Sequence, residues 1–214
     1  MTALSAPPKP LLRGWSHVAG FVAAAALGGV LIGVSPGAGA RAAVIVYVAG
    51  LCTMLGVSAL YHRLPWSPSQ LAFMRRLDHS TIFLAIAGSY TPIAGLSLDG
   101  WHRTAVLLVV WIGAAVGVTL QWIPAALPRW AGTAVYAVVG WSALIALPEL
   151  WRSLGPLGFS LMLGGGLAYT IGAVVYALKR PDPWPTVFGF HEVFHLFTLI
   201  GAGLHLATIG FIVL

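Results

Sequence analysis

The chain has 214 residues, of which 7% are charged and 59% hydrophobic, whereas an ordinary soluble domain carries roughly 25% charged residues. That balance, with a mean hydropathy of +0.91, excludes a water-soluble fold and predicts an all-α membrane protein, a bundle of seven transmembrane helices. The net charge of +6 does not indicate nucleic acid, because the basic residues stand singly or in pairs between apolar runs, the spacing of membrane topology. The single cysteine, Cys52, forms no intramolecular disulfide and reads as a small packing residue.

In chain order, residues 1–16 read as a short cytoplasmic tail without a signal-peptide cleavage site, and residues 17–214 as one transmembrane domain. A bilayer core of about 30 Å needs about 20 mostly apolar residues per crossing. Runs of that size predict spans at His17–Ser35, Ala42–His62, Leu77–Ser97, Thr104–Trp122, Trp130–Leu147, Leu157–Leu178 and His191–Val213. Breakers separate them: Pro36-Gly37, Pro65 to Pro68, Asp99-Gly100, Pro124 and Pro128, Gly155-Pro156, and Pro181 to Pro183. Tryptophans such as Trp15, Trp66, Trp101 and Trp184 fall near span ends, where an indole favours the interface. In the loops and tail, eight lysines and arginines lie on the side of the N-terminus, against Arg41, Arg103 and Arg152 on the other. Positive residues stay on the cytoplasmic side, so the N-terminus is expected in the cytoplasm and the C-terminus outside.

Ionisable residues inside a span are costly unless paired or metal-bound, so each raises a functional question. His62, Asp78, His191, Glu192 and His195 lie within or at the ends of spans, and the expected topology brings them to one membrane depth on the cytoplasmic side. His191 and His195 stand at i and i+4, with Cβ atoms about 6 Å apart on one helical face, a spacing that suits two ligands of one metal. His62 is the natural third, and three imidazoles with a water fit tetrahedral zinc. Asp78 is then placed to hold or deprotonate that water, and Ser58, one turn before His62, to supply a supporting hydrogen bond. The alternative is a set of interfacial histidines without metal. His79 points about 100° away from Asp78 around the helix, and His205 lies about 21 Å along the axis from His191. His17 and His102 read as interface residues.

His191-Glu192-Val193-Phe194-His195 also matches the HExxH signature of zinc proteases, and Leu98-Asp99-Gly100 resembles the partner motif of intramembrane proteases. The expected topology argues against that pairing, because Asp99 lies at the outer end of the third span and the histidines at the inner end of the seventh. Asp99-Gly100 reads as a turn, and Glu192 remains a possible second acid or base.

Ser58-Ala59-Leu60-Tyr61-His62, Arg76-Leu77-Asp78-His79-Ser80, Ile86 to Pro92, and the segment from His191 to His205 together resemble the bacterial haemolysin III family. That family is grouped with the progestin and adipoQ receptors and, more remotely, the alkaline ceramidases. The resemblance implies seven helices, a cytoplasmic N-terminus and a zinc site near the cytoplasmic face of a bacterial inner membrane. His62, His191 and His195 match the zinc ligands, Asp78 the acid near the zinc-bound water, and Ser58 the serine before the first ligand. On this resemblance no counterpart of the long N-terminal domain of the adiponectin receptors is expected.

The expected function is therefore a zinc-dependent hydrolase of a lipid amide or ester bond, with Asp78, Ser58 and Glu192 as candidate catalytic residues and a membrane lipid as partner. Its rival is a non-enzymatic sensor of membrane state, or receptor-like protein, with a structural zinc. Pore formation, suggested by the family name, has no support in the sequence. Small residues such as Gly164 to Gly166 allow a homo-oligomer as readily as intrachain packing.

Overall fold

A computed structural model describes residues 9–123 and 129–214, with helices throughout and a single isolated β-bridge between Trp184 and Phe188. The expected break at Pro124 and Pro128 and the first half of the N-terminal tail lie outside the described residues. The elements are α1 (Trp15–Val34), α2 (Gly37–Arg63), α3 (Pro68–Ser97), α4 (Gly100–Trp122), α5 (Arg129–Gly140), α6 (Leu147–Leu178) and α7 (Phe190–Val213). A short 3₁₀ turn, Ser142–Ala146, joins α5 to α6. Among the described residues six stretches are long and apolar enough to cross a membrane, one of them the 45-residue run Ala134–Leu178.

Local chemistry sets the ends. α3 begins nine residues earlier than the apolar run alone indicates, because Ser67 and Gln70 form a reciprocal capping box and Pro68 occupies the first turn. Residues that read as loop breakers are thus a helix start. In α6 the expected Gly155-Pro156 break is present: Gly155, with φ 61 and ψ −178, is not helical and separates a short first helix from the longer one that holds the expected span. Gly100, at φ 54, makes the α3–α4 turn.

α2 packs closely against α3. At Gly50 a Cβ would lie 2.8 Å from the backbone oxygen of Leu84, so only glycine permits this approach. The core between the helices is filled by Tyr47, Leu55, Phe83, Val106, Val110 and Leu150. α5 lies along α3 in the same direction: Tyr136 donates to the carbonyl of His79 at 3.2 Å, and Tyr90 to that of Gly140 at 2.6 Å. The start of α6 meets the start of α4, where His102 and Glu149 are 3.6 Å apart. One end of the bundle therefore gathers the start of α1, the end of α2 and the starts of α3 and α7.

Candidate metal centre

α7 begins at Phe190 because its first backbone donors are met from two sides. The Glu192 carboxylate accepts from the Gly189 N–H at 2.8 Å, and Asp182 accepts from the Phe190 N–H at 2.8 Å. A carboxylate in the first turn also favours the helix N-terminus electrostatically. The other oxygen of Glu192 pairs with the guanidinium of Arg13. Glu192 is 1% exposed, so this pair removes what would be an isolated buried charge.

This start places His191 and His195 on the face toward α2, their ring centroids 4.5 Å apart. His62, in the last turn of α2, comes up against both, with Nε2 3.1 Å from His191 Nε2. One nitrogen from each of the three histidines lies within 4.8 Å of the others. His62 and His195 are buried and His191 is half-buried. Tyr61 and Tyr176 rings stand against His62 and His191.

The donor set fits a metal. Nitrogens bound to tetrahedral zinc at about 2.0–2.1 Å lie roughly 3.4 Å apart, close to the His62–His191 separation. Three imidazoles facing one another without a carboxylate leave lone pairs that a cation would satisfy, and nitrogen donors suit zinc. This buried group can hold a metal ion.

The other anticipated residues divide. Ser58 lies buried one turn before His62, and the half-buried Asp78 of α3 approaches it. Asp78 is not one of the three grouped ligands. Glu192 points into its cap and ion pair instead of toward the histidine nitrogens. His205 sits apart, its Nε2 3.2 Å from the carbonyl of Met162. Asp99 is at the far end of α3, so the HExxH histidines and the Leu98-Asp99-Gly100 turn are not assembled into one site.

Two residues went unanticipated. His17, expected at the interface, is 3% exposed and stacks on His195 with centroids 3.7 Å apart and planes 8° from parallel. Arg13, read only as a topology signal, holds the buried Glu192. The segment around it crosses the end of the bundle: Leu11 and Leu12 donate to the carbonyls of Thr186 and Val187, and Arg63 to that of Arg13. At Gly14, φ 82, a Cβ would lie 2.8 Å from His62 Cβ. A cleft of 410 Å³, lined by Lys9, Arg13, His62 and Arg63 among others, opens beside this strap.

Comparison with known proteins agrees with this architecture. Residues 6–206 match the Haemolysin-III related family. The chain belongs to that family. Hemolysin-3 of Bacillus cereus is 31% identical over 177 residues, 83% of this chain and 78% of the relative. The heptahelical transmembrane protein ADIPOR2 of Oryza sativa subsp. japonica is 30% identical over 178 residues, 75% of this chain and 77% of that protein. The adiponectin receptor protein of Drosophila melanogaster is 29% identical over 73% of this chain, which corresponds to 39% of the receptor. This haemolysin III relative is thus a multi-pass membrane protein, related to both the bacterial hemolysins and the adiponectin receptors.

Proposed function

We propose that this protein is a zinc-dependent hydrolase that cleaves an amide or ester bond of a membrane lipid. The observation that carries this reading is the convergence of three histidine nitrogens at one end of an apolar bundle, with a buried serine one turn before His62 and the half-buried Asp78 near that serine. Histidines 62, 191 and 195 would hold the ion, which as a Lewis acid makes water a competent nucleophile at neutral pH. Asp78 serves as general base and takes the proton of the attacking water, while the Ser58 hydroxyl orients its carboxylate. Glu192 and Arg13 keep the first turn of α7, and so His191 and His195, in place. The lipid approaches sideways between helices with its head near the interface.

Seven crossings, with a cytoplasmic N-terminus and an outer C-terminus in a bacterial inner membrane, complete the proposal. A continuous helix over the 45-residue run would be about 68 Å long, more than twice a bilayer core of about 30 Å. The turn at Ser142–Ala146 and the contacts of α5 with α3 support two crossings there. The excess of basic residues at the histidine end supports the orientation.

The test uses the full chain purified in detergent. Zinc at about one ion per chain, with fatty-acid release from ceramide-like or related lipids, is expected. Asp78→Ala should retain the ion and lose at least about a hundredfold in turnover, the usual worth of a general base. Bound zinc without turnover on any lipid amide or ester, and unchanged lipid composition in cells carrying Asp78→Ala, would overturn the hydrolase. Direct coordination by the Asp78 carboxylate with no water would instead indicate a structural staple in a sensor.

A further inference from the structure

His17 carries no role in the site so far, yet its ring is among the most thoroughly enclosed polar groups at this end of the bundle. It lies on the α1 face that presses against α7. Three residues further on, Gly20 allows the approach, since a Cβ there would lie 2.4 Å from Leu199 Cδ2. Neither ring nitrogen of His17 makes a well-formed hydrogen bond. Buried histidine nitrogens are ordinarily paired; here the backbone of His195 lies near the ring, but the well-formed contact of His17 is its face. It covers one side of the His195 ring at 3.7 Å, while His62 and His191 stand on His195 at steep angles of 56° and 60°.

The parallel planes matter. A metal ion lies near the plane of each imidazole that binds it, along the nitrogen lone pair. Two rings stacked 8° from parallel cannot both present a lone pair to one ion, because an ion in the plane of one lies well off the plane of the other. His17 is therefore not a fourth ligand beside His195.

We infer that His17 is a positioning residue of the metal centre: its ring clamps His195 face to face in the orientation needed for binding, without itself becoming a ligand. This rests on the metal-binding part of the proposed function. It adds a residue that supports a ligand ring without entering the coordination sphere. It also assigns the first helix a part in the centre otherwise made by α2 and α7.

The clamp acts through a flat surface and not through nitrogen, so two substitutions separate the possibilities. His17→Phe keeps a planar ring, and His17→Leu fills similar space without one; both bury only apolar atoms. Full-length protein in detergent is titrated with zinc against a competing chelator and, separately, with cobalt(II), read by its d–d absorption. Wild type and His17→Phe should bind zinc within about twofold of each other and share one cobalt spectrum. His17→Leu should bind at least about tenfold more weakly, the scale seen when a residue supporting a ligand is removed, with an altered spectrum. Equal loss in both variants would mean that the nitrogens act, and equal retention in both that the stack is packing only; either overturns the clamp. Loss in His17→Phe alone is sufficient to reject it. Wild type that binds neither ion rejects the metal centre itself, and the clamp with it.

Discussion

The two ends of the bundle carry similar residues to different effect. At one end are His62, His191, His195, Glu192 and Arg13; at the other His102, Glu149, Arg152, Asp99 and Arg103. The clefts are of like size, 410 Å³ beside the triad and 370 Å³ at the far end. At the far end the ion pairs are loose, 3.6 Å for Arg152 with Glu149 and 4.0 Å for Arg103 with Asp99, whose carboxylate is fully exposed. Water screens such pairs, which contribute little. At the triad end, helix starts and the last turn of α2 converge, and the polar groups face one another out of solvent. Convergence and burial, not residue type, distinguish the candidate centre.

The largest effect that would break this contrast is on metal content. His191→Ala with His195→Ala should reduce bound zinc from about one ion per chain to near none by elemental analysis, and equal content in both proteins would erase the distinction. Next comes the latch. Arg13→Ala leaves the Glu192 charge buried without its partner and should cost about 3 kcal/mol, measured by thermal unfolding in detergent. Glu192→Gln added to Arg13→Ala should recover part of that loss, because no stranded charge remains. The smallest effect belongs to the far end: Glu149→Gln should change stability by less than about 1 kcal/mol and leave zinc content unaltered. A drop in metal there would show that the two ends are coupled.

The apolar runs and their breakers located the candidate membrane helices within a few residues at several ends. Where they fell short, the cause is local. Ser67-Pro68-Ser69-Gln70 is polar and proline-bearing, the composition of a loop, yet it is also that of a capped helix start, and the structure uses it so. The Gly155-Pro156 break, by contrast, is legible in the sequence: Gly155 is not helical and divides α6 in two. For the centre, the signal was shared depth among His62, Asp78 and His191. The same signal was available for His17, since α1 also starts at that end; what the sequence does not display is the rotation of α1 that turns His17 inward onto His195. Likewise no pattern links Arg13 to Glu192, because their pairing depends on the strap folding back across the bundle.

The triad draws on helices far apart in the chain, for His62 precedes His191 by 129 residues. A growing polypeptide that has inserted its first helices owns one ligand of three and can hold the ion only weakly. The centre comes into being when the last helix takes its place against α1 and α2. A cation captured there would join the beginning of the molecule to its end, so that a loaded protein would be one whose assembly in the bilayer is finished.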